Sequence, residues 1–102
     1  MSTAVGPGPG APFHHIGPFD FEATLEQYEV LRLRHIYQPK TVYEHKRVLK
    51  KMWGLFKEDM LTTNPHALAV RLCRHLRPSQ RHRREQEAAA ALEAFVRWYQ
   101  RP

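Results

Sequence analysis

The stretch Pro39 to Lys57, PKTVYEHKRVLKKMWGLFK, decides the fold. At 100° per residue, Val42, His45, Leu49, Met52, Trp53 and Phe56 cluster within a sector of about 100°, the width of a stripe that faces a core. The opposite side carries Lys40, Tyr43, Arg47, Lys50 and Lys51, with Lys46 and Lys57 on its flank. Pro39 suits a first helical turn, where its missing N–H leaves no bond unmade. The spacing predicts a helix over about 40–57, one side for an interior and the other almost wholly cationic. A helix of that kind is shaped to lie along a phosphate backbone.

Upstream, Asp20 can cap a first helix running to about Ile36. Phe21, Leu25, Tyr28 and then Leu31 or Arg32 share one face at helical spacing. Val30, Leu33 and Tyr37 lie on another side, which points to a second contact there. Downstream, Asn64-Pro65 pairs an N-cap side chain with proline at the first helical position. It opens a third helix over about 65–76, with Leu68, Leu72 and Leu76 in line and Ala69 and Cys73 beside them. Pro78 ends that helix, and Ser79 can cap a fourth over about 79–100, buried along Ala88, Ala91, Leu92, Phe95 and Tyr99. No segment alternates at period two and no internal repeat is present, so the expected class is all-α, with four helices in one domain over 19–102. Residues 1–18, rich in Gly and Pro, read as a flexible tail whose Phe13 and Ile16, with Phe19 and Phe21, lie down on the folded body.

Charge sharpens the picture. The 102 residues hold 16 Lys+Arg against 10 Asp+Glu, a net +6, and the sequence pI is near 9.9. Met1 to Gln38 carries two basic residues and four acids, a balance of −2, while Pro39 onward carries 14 and six, a balance of +8. Lys40 to Lys57 holds six cations and one acid, and Arg71 to Arg84 six arginines and no acid. One such block is usually a solvated face. Two blocks of one sign in a small domain favour a surface for a polyanion, nucleic acid foremost. Arg81, His82, Arg83 and Arg84 occupy the first turns of the fourth helix, where cations oppose the macrodipole and cost a few tenths of a kcal/mol; phosphate contacts would account for them. A single cysteine rules out an intramolecular disulfide. No signal peptide or membrane-spanning run stands out, so a cytoplasmic, DNA-associated protein that avoids membranes is expected.

Pro39-Lys40-Thr41-Val42, followed by His45, Lys46-Arg47, Leu49, Lys50-Lys51 and Phe56, resembles the second helix of the core-binding domain of tyrosine recombinases (phage integrases). Ala91-Leu92, Phe95 and Trp98-Tyr99 are similar to the end of that domain's last helix, and Tyr28, Leu31 and Leu33 fit its first. The likeness runs from about Phe21 to Tyr99. Gln38 stands where the family carries a Ser cap, His45 where it carries Tyr, and no acid follows Pro65. The resemblance implies a SAM-like four-helix domain that sets its second and fourth helices against duplex DNA, beside a separate catalytic domain and neighbouring protomers. Matched by position, Thr41, Tyr43, Lys46, Arg47, Lys50 and Lys51 would face DNA, with Lys40 beside them. From the fourth helix and its approach, Arg77, Ser79, Arg81, His82, Arg83 and Arg84 complete the expected DNA-binding set.

The family cuts DNA with a tyrosine nucleophile aided by Arg and His, on a domain of its own. Here Cys73-Arg74-His75-Leu76-Arg77 and His82-Arg83-Arg84 match that machinery only vaguely, and Tyr28 and Tyr99 point to the core by phase. The expectation is DNA binding without catalysis. Metal and cofactor sites are not expected either: His14-His15 is a tail pair, and Cys73-x-His75 lacks the partners a zinc ion needs. His45 reads as a hydrogen-bonded, semi-buried structural histidine, and His82 as one that gains charge below neutral pH. The rival expectation is a helical protein-interaction module, suggested by Val30, Leu33 and Tyr37 and by exposed Ala90 and Ala94. A small DNA-binding regulator without a recombinase partner domain is a further alternative.

Overall fold

Asp20 has extended backbone, and its carboxylate accepts a hydrogen bond from the Ala23 N–H at 3.1 Å. The bond satisfies one of the amide donors left over at a helix start. From there α1 (Phe21–Tyr28) leads directly into a π-helical segment, Glu29–Leu33, and a closing turn, α2 (Arg34–Ile36). The computed structural model of the chain describes residues 19–101. The expected tail, including Phe13, His14, His15 and Ile16, lies outside them.

The π segment overturns the phase expected of this first rod. Phe21, Leu25 and Tyr28 are buried, but Leu31 is 58% exposed and Arg32 faces solvent, while Leu33 is completely buried. The inward positions step by five residues from Tyr28 to Leu33, as one wide π turn allows. A regular α-helix would have carried Leu31 or Arg32 inward, and a buried unpaired guanidinium is among the costliest groups a core can hold.

Gln38 is extended and makes no side-chain cap, and Pro39 takes the first position of α3 (Pro39–Phe56). Val42, Leu49 and Met52 are buried along its inner stripe, with Trp53 and Phe56 half-buried beside them. Phe21 stacks on Trp53 with centroids 5.0 Å apart, and Phe19 meets both Trp53 and Tyr99 edge-on. The last contact ties the start of the described chain to its end.

Lys57 ends α3 with φ 51° and ψ −134°, a conformation that suits glycine, and its ammonium lies 5.1 Å over the Trp53 ring. The sharp turn starts a short helix not expected from the sequence, α4 (Asp59–Thr62), whose Met60 is driven into the core. Asn64 then caps α5 (Pro65–Leu72), its side-chain oxygen accepting from the His66 and Ala67 N–H groups at 2.8 and 3.2 Å.

Two expected boundaries move. α5 stops at Leu72 rather than Leu76, because the Leu76 N–H bonds back to the Cys73 carbonyl and folds the last residues into a tight turn. Pro78 does not stand outside the final helix but opens it: α6 runs Pro78–Tyr99, with Arg77 at the cap position. The residue before a proline is held extended, so Arg77, at ψ 144°, takes the place expected for Ser79 and bonds no amide with its side chain.

The described residues contain helices and no strand. α5 and α6 pack side by side, with α3 lying across both and the first rod closing the core through Tyr28 and Leu33. Phe95 of α6 sits at the centre, edge-on to Tyr28 at 5.2 Å and to Phe21 at 6.2 Å. Among the described residues no helix is long and apolar enough to cross a membrane.

The π step and the strained turn each have a direct test in chemical denaturation. Leu33→Ala is expected to cost about 2–5 kcal/mol as a core truncation, and Leu31→Ala to change stability by no more than about 0.5 kcal/mol; a regular first helix would require Leu31 or Arg32 to be the sensitive position. At Lys57, glycine and alanine both abolish the contact with Trp53, but only glycine relieves the backbone. Lys57→Gly should therefore be the more stable of the two by about 1 kcal/mol.

Candidate nucleic-acid interface

α3 and α6 approach each other with their cationic sides flanking the seam. Between them runs an open groove of about 850 Å³, lined by Lys40, Thr41 and Arg47 from α3 and by Arg83 and Arg84 from α6. Its floor is Val48 and Ala91. A smaller hollow of about 220 Å³ adjoins it through Arg47 and Arg84 and adds Lys51 and His75. Residues more than thirty positions apart in the chain thus line one surface. The alanine at 91 leaves the space; a larger residue would fill it.

The groove also holds carboxylates. Glu44 approaches Arg47 at 3.6 Å, and Glu87 lies 3.5 Å from Arg83 and 3.6 Å from Arg84. These are exposed pairs at helical spacing, each worth a few tenths of a kcal/mol at most. They leave the arginines available to a stronger anion. Around both hollows, Lys40, Arg47, Lys51, Arg83 and Arg84 stand against Glu44 and Glu87, five formal positive charges against two negative.

Other expected contact residues are occupied or lie apart. Lys46 donates to Glu29 at 2.6 Å, and Arg34 reaches the other oxygen of the same carboxylate at 2.7 Å. Lys46 is therefore a strut between the first rod and α3, not a free cation on the groove. Arg81 turns back to donate through Nε and Nη2 to the Leu76 carbonyl, at 3.2 and 2.8 Å, and so pins the turn before α6. Tyr43, 64% exposed, edges a separate hollow with Tyr37, Arg34 and Lys46. Lys50, Arg77, Ser79 and His82 are exposed and line neither part of the groove.

His45 lines the groove and rests against Tyr37, ring centroids 4.7 Å apart. Its Nδ1 is buried without a hydrogen-bond partner, and burial lowers the pKa of the ring below the ordinary histidine value. The imidazole adds no charge to the groove at neutral pH. Cys73 is buried, and burial first, then Glu85, pushes its thiol upward, away from the thiolate form. Among the described residues no three His, Cys, Asp or Glu side chains gather in a way that could hold a metal ion.

Comparison of the chain with protein-family models, curated proteins and solved structures gives no match.

Glu29 is a titratable strut. Its carboxyl is held below the usual value, mainly by the hydrogen bond from Lys46 and then by that from Arg34. Because the folded-state pKa is the lower one, its stabilisation is present above the unfolded value of 4.5 and is lost as pH falls through the folded one. Thermal melts of the wild type and Glu29→Gln should thus differ at neutral pH, and the difference should shrink as pH falls below 4.5 and through the folded-state value. A constant difference across that range would mean the carboxylate charge is not what Lys46 and Arg34 hold.

Proposed function

We propose that this chain is a non-catalytic binder of duplex DNA, built in the manner of the SAM-like core-binding domain of tyrosine recombinases and serving site-specific recombination or integration. The observation that carries the reading is the groove between α3 and α6, where cations from two basic sequence blocks line one surface. Lys40, Arg47 and Lys51 on one wall and Arg83 and Arg84 on the other would neutralise phosphates. Thr41, which lines the groove, and Arg47 have the chemistry to approach base edges, where arginine holds guanine with two hydrogen bonds.

The aromatic and aliphatic packing behind the groove supplies a rigid wall, which keeps the cations spaced without a ligand. Within this reading, Glu44 and Glu87 compete weakly with phosphate for the same guanidinium groups. The interaction-module alternative draws on a different surface, the exposed side chains of the first rod.

Fluorescence anisotropy with labelled duplex DNA tests the reading. Log affinity is expected to fall linearly with log salt, with a slope of about −0.9 per phosphate neutralised. Arg47→Ala and Arg84→Ala should each lower affinity for all sequences and flatten the slope by about one. Lys46→Ala should act mainly on stability, and Glu22→Ala should do neither. Affinity that does not change between low and moderate salt would refute the mechanism.

A further inference from the structure

A second groove lies at the other end of α6 and differs in chemistry from the first. It is bounded by Arg32 of the π segment and by Arg97 and Arg101, on and just beyond the last turn of α6. Its floor is apolar and aromatic, formed by Ile36, Tyr37, Ala94 and Trp98 over the edge of Tyr28. Ile36 is 49% exposed and Tyr37 39%, large side chains left to solvent beside three guanidinium groups. No carboxylate lines this groove. Arg97 meets Glu93 at 3.1 Å on the exposed side of α6, while Arg32 and Arg101 have no ion pair among the described residues.

The sequence shows how the groove arises. The five-residue step from Tyr28 to Leu33 takes the inward position away from Arg32, and Ile36, one turn later, also stays outside. Ala94 then leaves the opposite wall low. π-Helical insertions are frequent where a helix carries function rather than packing alone. The space measures about 200 Å³, below the roughly 300 Å³ at which small-molecule pockets begin. It has room for an anchoring side chain, not for a cofactor.

From this arrangement we infer that the groove between the first rod and the end of α6 docks an acidic amphipathic helix of a partner protein. An aliphatic or aromatic anchor of that helix would rest on Ile36, Tyr37 and Trp98. Its Asp or Glu side chains would meet Arg32, Arg97 and Arg101, with Arg97 exchanging Glu93 for the incoming carboxylate. This is the helix-in-groove mode of recognition, in which an apolar stripe supplies the area and charges at the rim set orientation. The bare duplex backbone suits the site poorly, because phosphates would be set against the exposed Ile36 and Tyr37 side chains. The inference is independent of the DNA reading and uses none of the residues of the α3–α6 groove.

The test uses the full 102-residue chain and labelled peptides of about 15 residues, long enough to form marginal helices. One carries Leu at helical spacing with Glu elsewhere, a second replaces Glu by Lys, and a third keeps Glu but replaces Leu by Ser. Only the first should bind. Arg32→Glu and Arg101→Glu should each weaken it roughly tenfold, whereas Arg84→Ala should leave it unchanged, with circular dichroism confirming that every variant folds. Equal binding of the Ser-containing peptide would show bulk electrostatic attraction and overturn the inference. So would binding lost with Arg84→Ala but kept with Arg32→Glu, which would place the peptide in the other groove. Tight binding of anionic lipid vesicles that Arg32→Glu abolishes, with no binding of the first peptide, would assign the surface to a membrane and also overturn it.

Discussion

The step from Tyr28 to Leu33 governs how the first rod meets the rest of the molecule. Both side chains are essentially inaccessible to solvent, and no regular α-helix brings positions five apart to the same side. The π turn that reconciles them turns the following residues relative to α1. One consequence is that Glu29 reaches across to Lys46 on α3. Another is that Arg32 and Ile36 are delivered to the groove at the far end of α6. A third is that Tyr37 comes to rest on His45, which lines the cationic groove. One additional residue in a helical turn thus connects the packing of the core to both candidate binding surfaces.

Much of the framework is legible in the chain because it follows from local chemistry. Asp20 and Asn64 cap helices as their side chains dictate, and the stripe Val42, Leu49, Met52 points inward as a period of 3.6 requires. The misses are where non-local demands win. Val30, Leu33 and Tyr37 are readable as candidates for a second contact, but nothing near Leu33 in sequence announces that it alone of the three is buried and that Leu31 is left outside. Pro78 and Ser79 compete for the start of α6, and the proline prevails because it constrains Arg77 before any side-chain cap can form. The short α4 follows from Lys57 adopting a glycine-like conformation, a preference its own side chain opposes.

The site was legible in charge but not in detail. Counting arginines from Arg71 to Arg84 finds the basic block and stops short of Glu87, which sits four residues from Arg83 and three from Arg84 and pairs with both. That spacing is readable in the sequence. The fates of Lys46 and Arg81 are not, since one partner is a carboxylate 17 residues upstream and the other a main-chain carbonyl freed by the turn after α5. Both cations serve the fold, and removing them from the ligand-facing set leaves a smaller but spatially coherent group.

α6 draws the two surfaces together. The first turn of α6 carries no acid. Arg81 bonds the Leu76 carbonyl, while Arg83 and Arg84, a turn further in, pair with Glu87 at 3.5 and 3.6 Å. At the other end, Arg97 and Arg101 sit where the dipole favours positive charge. The two ends therefore differ in what holds their cations. Those of the second groove are stabilised by the helix itself and stand over apolar rings. Those of the first are held by exposed pairs with Glu44 and Glu87 along a wall that α3 completes. On the proposed reading, an anion at the α3–α6 groove would have only those weak exposed pairs to displace, whereas at the other groove the apolar floor, more than the arginines, would have to supply affinity.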